Sequence, residues 1–249
     1  MRNILLLGYK NCDLFYFLNR RSNLTHTEEK LTLQQIDEID PDLIVSFGYR
    51  HIVSKPIIEK YRNKIINLHI SYLPWNRGAS PNLWSFVEKT PKGVTIHLMD
   101  EGIDTGDILF QKTVFLKNSY TLKKTHSILV KEIQSLFIKK WKIIETLKFS
   151  GVKQDLSKGS YHTKKQTEKY MQKIGVTSWD IEVKKLIVRS DEDIINDIQE
   201  IRARNNEHWM DLVKLAFRTT PVESRAIFKK IKFCDEKVNQ LLKELSEND

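Results

Sequence analysis

The stretch Asn3-Ile4-Leu5-Leu6-Leu7-Gly8-Tyr9, residues 3–9, decides the fold. Four consecutive aliphatic residues leave no polar face, and the run closes at once on Gly-Tyr; a strand covered on both sides reads this way. Such a strand belongs in a parallel sheet with helices on both faces. Working outward, residues 42–47 (Asp-Leu-Ile-Val-Ser-Phe) and 65–70 (Ile-Ile-Asn-Leu-His-Ile) repeat the pattern, bounded by Pro41, Gly48 and Pro74. Helix-like segments at 33–38 and 55–62 lie between them, so strand and helix alternate. Residues 93–99 and 107–116 add two further strands. The expectation is an α/β fold: a Rossmann-like, mainly parallel sheet with flanking helices over residues 1–150, followed by a small C-terminal helical region.

Past residue 119 the texture changes. Leu122, Leu129, Ile133, Leu136, Phe137, Trp141, Ile144 and Leu147 recur at helical spacing, which predicts one long amphipathic helix with a solvated Lys-rich face. Residues 151–189 are poor in apolar side chains and read as a linker or surface excursion. Residues 190–249 read as an αα-hairpin. Ser190 is placed to N-cap a helix whose first turn is Asp191-Glu192-Asp193, and Ile194, Ile198, Ile201, Trp209, Leu212 and Leu215 follow on one face. Thr220-Pro221-Val222-Glu223 has the form of a capping box, and Ile227, Ile231, Cys234, Val238, Leu241 and Leu245 form the second stripe. The polar cluster Asn205, Asn206, His208 and Trp209 reads as helix packing rather than as a second site.

Composition narrows the function. The chain has 249 residues, 40% hydrophobic and 29% charged, which excludes disordered and fibrous classes. Lys and Arg number 41 against 32 Asp and Glu, a net charge of +9, so an anionic partner is electrostatically favoured. Cys12 and Cys234 stand apart, without Cys-x-x-Cys or a Cys/His cluster; neither a metal site nor a disulfide framework is expected, and the economical location is a reducing cytoplasm. The opening apolar run ends at Gly8, short of a signal-peptide core, and no later stretch approaches the ~18 apolar residues of a membrane span. Dinucleotide, Walker-type and zinc-protease motifs are absent from the sequence.

Four of the six prolines and five of the nine glycines fall in residues 48–106, where turn chemistry is therefore concentrated. Within that stretch Asn67-Leu68-His69-Ile70-Ser71-Tyr72-Leu73-Pro74-Trp75-Asn76-Arg77-Gly78 precedes Asp100-Glu101-Gly102-Ile103-Asp104-Thr105-Gly106-Asp107. Residues two apart on a strand share a face, so Asn67 and His69 point together at a strand's C-terminal end, where open α/β sheets hold ligands. A carboxylate from the second run could meet them. Taken alone, a histidine on a strand is ordinarily structural and Asp-x-Gly ordinarily a turn.

The two motifs together resemble the formyltransferases that use 10-formyltetrahydrofolate, over roughly residues 1–120. By motif position the resemblance assigns catalytic roles to Asn67, His69 and Asp104. It places the folate pocket at Phe47, Gly48, Tyr49 and His97, with ordinary packing as the alternative for each. Arg77 is either a substrate contact or a residue tying the loop down. Of the acceptors in the family, methionyl-tRNA enzymes carry a longer first domain and a C-terminal β-barrel where this chain has helices. Glycinamide ribonucleotide enzymes lack the Asn-Arg-Gly found here. Ser46-Phe47-Gly48-Tyr49-Arg50, the loop 73–78 and Gly159-Ser160-Tyr161-His162 look most like sugar N-formyltransferases. The resemblance thus implies a nucleotide-linked amino sugar, dTDP-linked above others, as a small-molecule partner, for bacterial surface polysaccharides such as the O-antigen of lipopolysaccharide. Tyr72, Trp75, Asn76, Arg77, Tyr161 and His162 would contact that sugar, and no nucleic acid is called for. A methionyl-tRNA formyltransferase-like enzyme and a catalytically silent binding protein are the alternatives. For the helical tail, the choices are packing on its own domain, binding another pathway protein, or homodimer formation.

Overall fold

The computed structural model of the chain describes residues 1–148, 150–186 and 191–246, with their side chains apart from 191–197 and 245. It divides into two units, Met1–Val188 and Arg189–Asp249. In the first, β1 (Asn3–Gly8), α1 (Asp13–Asn19), β2 (Asn23–Thr27), α2 (Leu33–Ile39), β3 (Leu43–Phe47), α3 (Lys55–Lys60) and β4 (Ile65–His69) follow in strict alternation. Then come β5 (Arg77–Gly78), α4 (Pro81–Val87), β6 (Gly93–Leu98), β7 (Ile108–Thr113), α5 (Leu122–Ile144), β8 (Tyr161–His162) and α6 (Lys164–Lys173).

Six strands form one sheet in the order β2-β1-β3-β4-β6-β7. The first four are parallel; β6 runs antiparallel to β4, and β7 antiparallel to β6. The mainly parallel sheet read from the sequence is therefore present, and its buried runs explain it. Ile4, Leu5, Leu6 and Leu7 are all fully buried: Ile4 and Leu6 join the core on the side of α1, α4 and α5, while Leu5 and Leu7 join the smaller core under α2 and α3. Neighbouring β3 repeats this division, with Leu43 and Val45 on one side and Ile44 on the other. The order of the strands reverses between β1 and β3, which opens a crevice at their C-terminal ends.

The stretch expected as a linker or excursion runs over this same unit. It carries a short 3-10 turn, the β8 strand paired in parallel with β5, and α6, and it buries Val183 and Leu186 completely. Thr163 and Gln166 form a capping box that starts α6.

The second unit holds α7 (Asp191–Thr219) and α8 (Pro221–Ser246). Ser190 and the side chains of Asp191 to Asp193, Ile194 and Leu245 lie outside the described residues. The capping box read at Thr220 does not form. The Thr220 N–H bonds to the Ala216 carbonyl, and its hydroxyl donates to that same carbonyl, so α8 is fed directly from α7. Phe217 meets Phe228 edge-on at 5.3 Å beside the bend, where Ser224 is buried. Away from the bend the two apolar stripes are open: Ile201 is 61% exposed, Leu212 59%, Ile227 57% and Leu241 59%. Asn205, Asn206, His208 and Trp209 are exposed as well. No helix among the described residues is long and apolar enough to cross a membrane.

Candidate active site

A cleft of about 600 Å³ lies at the C-terminal ends of β1, β3 and β4. Its apolar part is walled by Phe47, Tyr49, Ile52, Val53, Ile58 and Met99. Gly48 makes the turn possible: its φ is +66°, and a Cβ there would stand 2.2 Å from a Tyr9 ring carbon. Tyr49 is pinned across the crevice, its hydroxyl donating to the Glu29 carbonyl at 2.7 Å and accepting from the Leu31 N–H at 2.9 Å.

Asn67, His69 and Asp104 come together at the floor of this cleft. Asn67 and His69 share one face of β4, as a two-residue repeat demands. Asp104 sits in the 99–107 loop with φ +54° and turns its carboxylate back towards them. One oxygen, Oδ1, accepts from Asn67 Nδ2 at 3.1 Å; the other, Oδ2, accepts from the Gly78 N–H at 2.8 Å and lies 3.7 Å from His69 Nδ1. His69 is 8% exposed, and its Nε2 stands 3.4 Å from the Asn76 carbonyl.

The charge states follow from burial and neighbours. Burial by itself would raise the Asp104 pKa, but the His69 ring and the Gly78 N–H outweigh it and hold the carboxyl well below its usual range. Burial pulls His69 down, against the pull of Asp104 upward. The site therefore pairs an ionised carboxylate with a neutral imidazole at pH 7. Both ring nitrogens of His69 face acceptors, the carboxylate on one side and the Asn76 carbonyl on the other, so a proton gained by this ring would be held on both sides.

The remaining sequence-predicted residues divide. Phe47, Gly48, Tyr49, Tyr161 and His162 line the cleft. His97 is 2% exposed and stands behind the floor: its Nδ1–H donates to the Leu98 carbonyl at 2.7 Å, which leaves Nε2 to accept from Asn67 Nδ2 at 3.2 Å. Asn67 thus spends both amide hydrogens on Asp104 and His97. Tyr72 and Trp75 stack on each other with centroids 6.1 Å apart and, with Asn76 and Arg77, are not part of the cleft lining. Asn76 is fully buried.

Sequence reading missed Gly78 as the Asp104 donor, and His126 and Val130 of α5 as cleft-lining residues. The first is a backbone group and has no side-chain signature. The others fall on a helix face whose periodicity signals only packing. No group of three or more His, Cys, Asp or Glu placed to hold a metal ion occurs among the described residues.

Comparison with known proteins gives the family. The sequence profile of the formyl transferase family matches residues 12–139, a span that contains Asn67, His69 and Asp104. The chain belongs to the formyl transferase family. Among solved structures, the formyltransferase PseJ from Anoxybacillus kamchatkensis, in complex with UDP-4,6-dideoxy-4-formamido-L-AltNAc and tetrahydrofolate, is 44% identical with a TM-score of 0.69. That match covers 74% of this chain and 97% of PseJ. A 4-N formyltransferase from Francisella tularensis shares the fold at 21% identity and TM-score 0.60, over 78% of this chain and 85% of its own. The methionyl-tRNA formyltransferase of Finegoldia magna is 38% identical over 96 residues, 38% of this chain and 31% of that protein. The chain spans under half the length of the curated relatives it matches.

Proposed function

We propose that this formyltransferase family member moves a formyl group from 10-formyltetrahydrofolate to the amine of a UDP-linked amino sugar. The observation that carries the reading is the Asn67–His69–Asp104 cluster at the floor of the cleft, in a chain that spans nearly all of a 44%-identical relative solved with a UDP-linked formamido sugar. The resemblance in sequence favoured a dTDP sugar; the PseJ complex moves the preference to UDP and keeps dTDP as the comparison substrate.

The cleft suits such a donor. Its apolar wall beside the Tyr49 turn can take a flat bicyclic ring, and its inner end meets the polar cluster. The formyl donor supplies an activated carbonyl carbon. The amine attacks that carbon, the carbonyl oxygen becomes an oxyanion, and collapse breaks the bond to the donor nitrogen, which leaves with the proton that the amine gave up. Neutral His69 can take that proton, because Asp104 stabilises the imidazolium that forms. Neutral His69 carries its hydrogen on Nδ1, towards Asp104, and takes the proton on Nε2; the Nε2–H so formed is committed only to a long contact with the Asn76 carbonyl, so the oxyanion can compete for it. Asn67 fixes Asp104, and His97 fixes Asn67.

The product would feed bacterial surface polysaccharide, O-antigen and lipopolysaccharide among them, from a reducing cytoplasm in keeping with the free Cys12 and Cys234. A homodimer completes the reading. Along α7, Ile198, Ile201, Asn205, His208, Leu212 and Leu215 alternate at three- and four-residue spacing, a coiled-coil seam that is exposed in the single chain. Antiparallel pairing with a second copy would set Asn205 against His208 and Arg204 against Asp211, each twice.

The test is incubation of purified protein with 10-formyltetrahydrofolate and a panel of UDP- and dTDP-linked amino sugars, read by tetrahydrofolate release and the formyl mass increment. Formylation of initiator methionyl-tRNA, with every sugar untouched, would overturn the reading.

A further inference from the structure

Behind the cleft floor lies a second polar cluster that the catalytic triad does not include. Glu88, one residue beyond α4, faces three groups from two separate segments. Its Oε2 accepts from Asn76 Nδ2 at 3.0 Å and from the Ser160 hydroxyl at 2.6 Å, and its Oε1 lies 2.8 Å from His162 Nε2. The His162 contact is out of line for a hydrogen bond. Ser160 closes the ring: its Oγ accepts from the backbone N–H of Asn76 at 3.0 Å. On the far side, the Thr90 hydroxyl donates to Asn76 Oδ1 at 2.7 Å.

Every polar atom of the Asn76 side chain is thereby committed, and its backbone is held at φ +56° in the left-handed region. That conformation points the Asn76 carbonyl at His69 Nε2. It also delivers the chain into β5, where the Arg77 N–H bonds to the Ser160 carbonyl and the Ala79 N–H to that of His162. Between those two bonds sits Gly78, whose N–H is the donor to Asp104. His162 is in turn fixed by stacking on Trp84 at 3.9 Å, with planes 5° apart.

We propose that Glu88 is a positioning residue for formyl transfer: by clamping Asn76 to Ser160 it sets the Asn76 carbonyl against His69 and the Gly78 N–H against Asp104. Glu88 touches no reacting atom in this arrangement. Its effect reaches the chemistry through His69 and Asp104, and it acts on a formyl-transfer site as read above.

The prediction is a split between kinetic constants. Glu88→Ala frees the Asn76 amide and loosens the loop, and a displacement of about 1 Å at a reacting centre costs on the order of 100-fold. Turnover should fall about 10–100-fold while the KM for the formyl donor, which rests on the opposite wall, stays within about two-fold. Glu88→Gln keeps an acceptor for Asn76 and Ser160 and should recover most of the rate. Ser160→Ala, a smaller change, should lower turnover in the same direction if Glu88→Ala proves unstable. In a His69→Ala background, Glu88→Ala should cost little further, because residues acting through one group are non-additive.

A readout independent of turnover is the imidazole resonance of His69 in the nuclear magnetic resonance spectrum of the full chain: Glu88→Ala should shift it and Glu88→Gln should not. Failure of the parent to formylate any sugar would sink the reading of function and leave the resonance shift as the test of the clamp. Full additivity with His69→Ala, or an unmoved His69 resonance in a folded Glu88→Ala protein, would overturn the proposal.

Discussion

Replacing Asp104 by Asn removes one charge and almost no volume, and its cost can be worked from the site. The carboxylate stands 3.7 Å from His69 Nδ1. At an effective dielectric of about 20, a unit charge at that distance stabilises an imidazolium by about 4 kcal/mol. If His69 must hold the amine's proton in the transition state, turnover should fall about 1,000-fold, at about 1.4 kcal/mol per decade. Folding should suffer less. The Asn amide can still accept one of the two hydrogen bonds now made by Asn67 and Gly78, and one unsatisfied buried donor costs about 1–3 kcal/mol. The assay is single-turnover formylation at saturating donor and sugar, after cooperative melting of each protein has been checked. A folded Asp104→Asn enzyme within ten-fold of the parent rate would refute the electrostatic role.

Three further outcomes are expected. His69, His126 and His162 all have pKa values pulled down, by burial first, so the unfolded chain binds more protons than the folded one below an unfolded pKa of about 6.5. Melting temperature should therefore drop as pH falls from about 7.5 to 5.5, and His69→Gln should flatten part of that slope; an unchanged slope would argue that His69 is not held neutral. Asp104 has the same sign in a lower window: its stabilisation is complete above about pH 3.9 and is lost as pH falls towards its depressed folded value, so the gap in stability between parent and Asp104→Asn, measured by denaturant titration, should narrow in acid. Leu212→Glu with Leu215→Glu should shift the sedimentation coefficient to that of a monomer while sparing the melt of the catalytic unit, and a parent that already sediments as a monomer would contradict the dimer.

The sheet was legible because its central strands are buried on both faces. Ile4 to Leu7 is an unbroken apolar run, and Leu43 to Phe47 and Ile65 to Leu68 are each interrupted by a single polar residue, Ser46 and Asn67. Edge strand β2 was not, since Asn23-Leu24-Thr25-His26-Thr27 is mostly polar and partly exposed. The Thr-x-x-Gln capping boxes at Thr32 and Thr163 were readable signals that the broad hydrophobic pattern overshadowed. In the cluster at the cleft floor, side-chain spacing placed Asn67 beside His69 and suggested a carboxylate from the second motif. The Gly78 N–H, the Asn76 carbonyl and the reach of Glu88 and Ser160 across 72 residues depend on tertiary register, which no local pattern encodes. The tail showed its stripes plainly, but a periodic stripe says only that a face seeks cover.

The most direct test of the account is a comparison of parent and His69→Ala in formyl transfer from 10-formyltetrahydrofolate to a UDP-linked amino sugar. Loss of one oxyanion donor and proton acceptor should lower turnover roughly 100–1,000-fold or more, with Michaelis constants changed far less. Near-parental turnover by a folded His69→Ala protein would contradict the assignment of His69 and, with it, the mechanism built on Asn67 and Asp104.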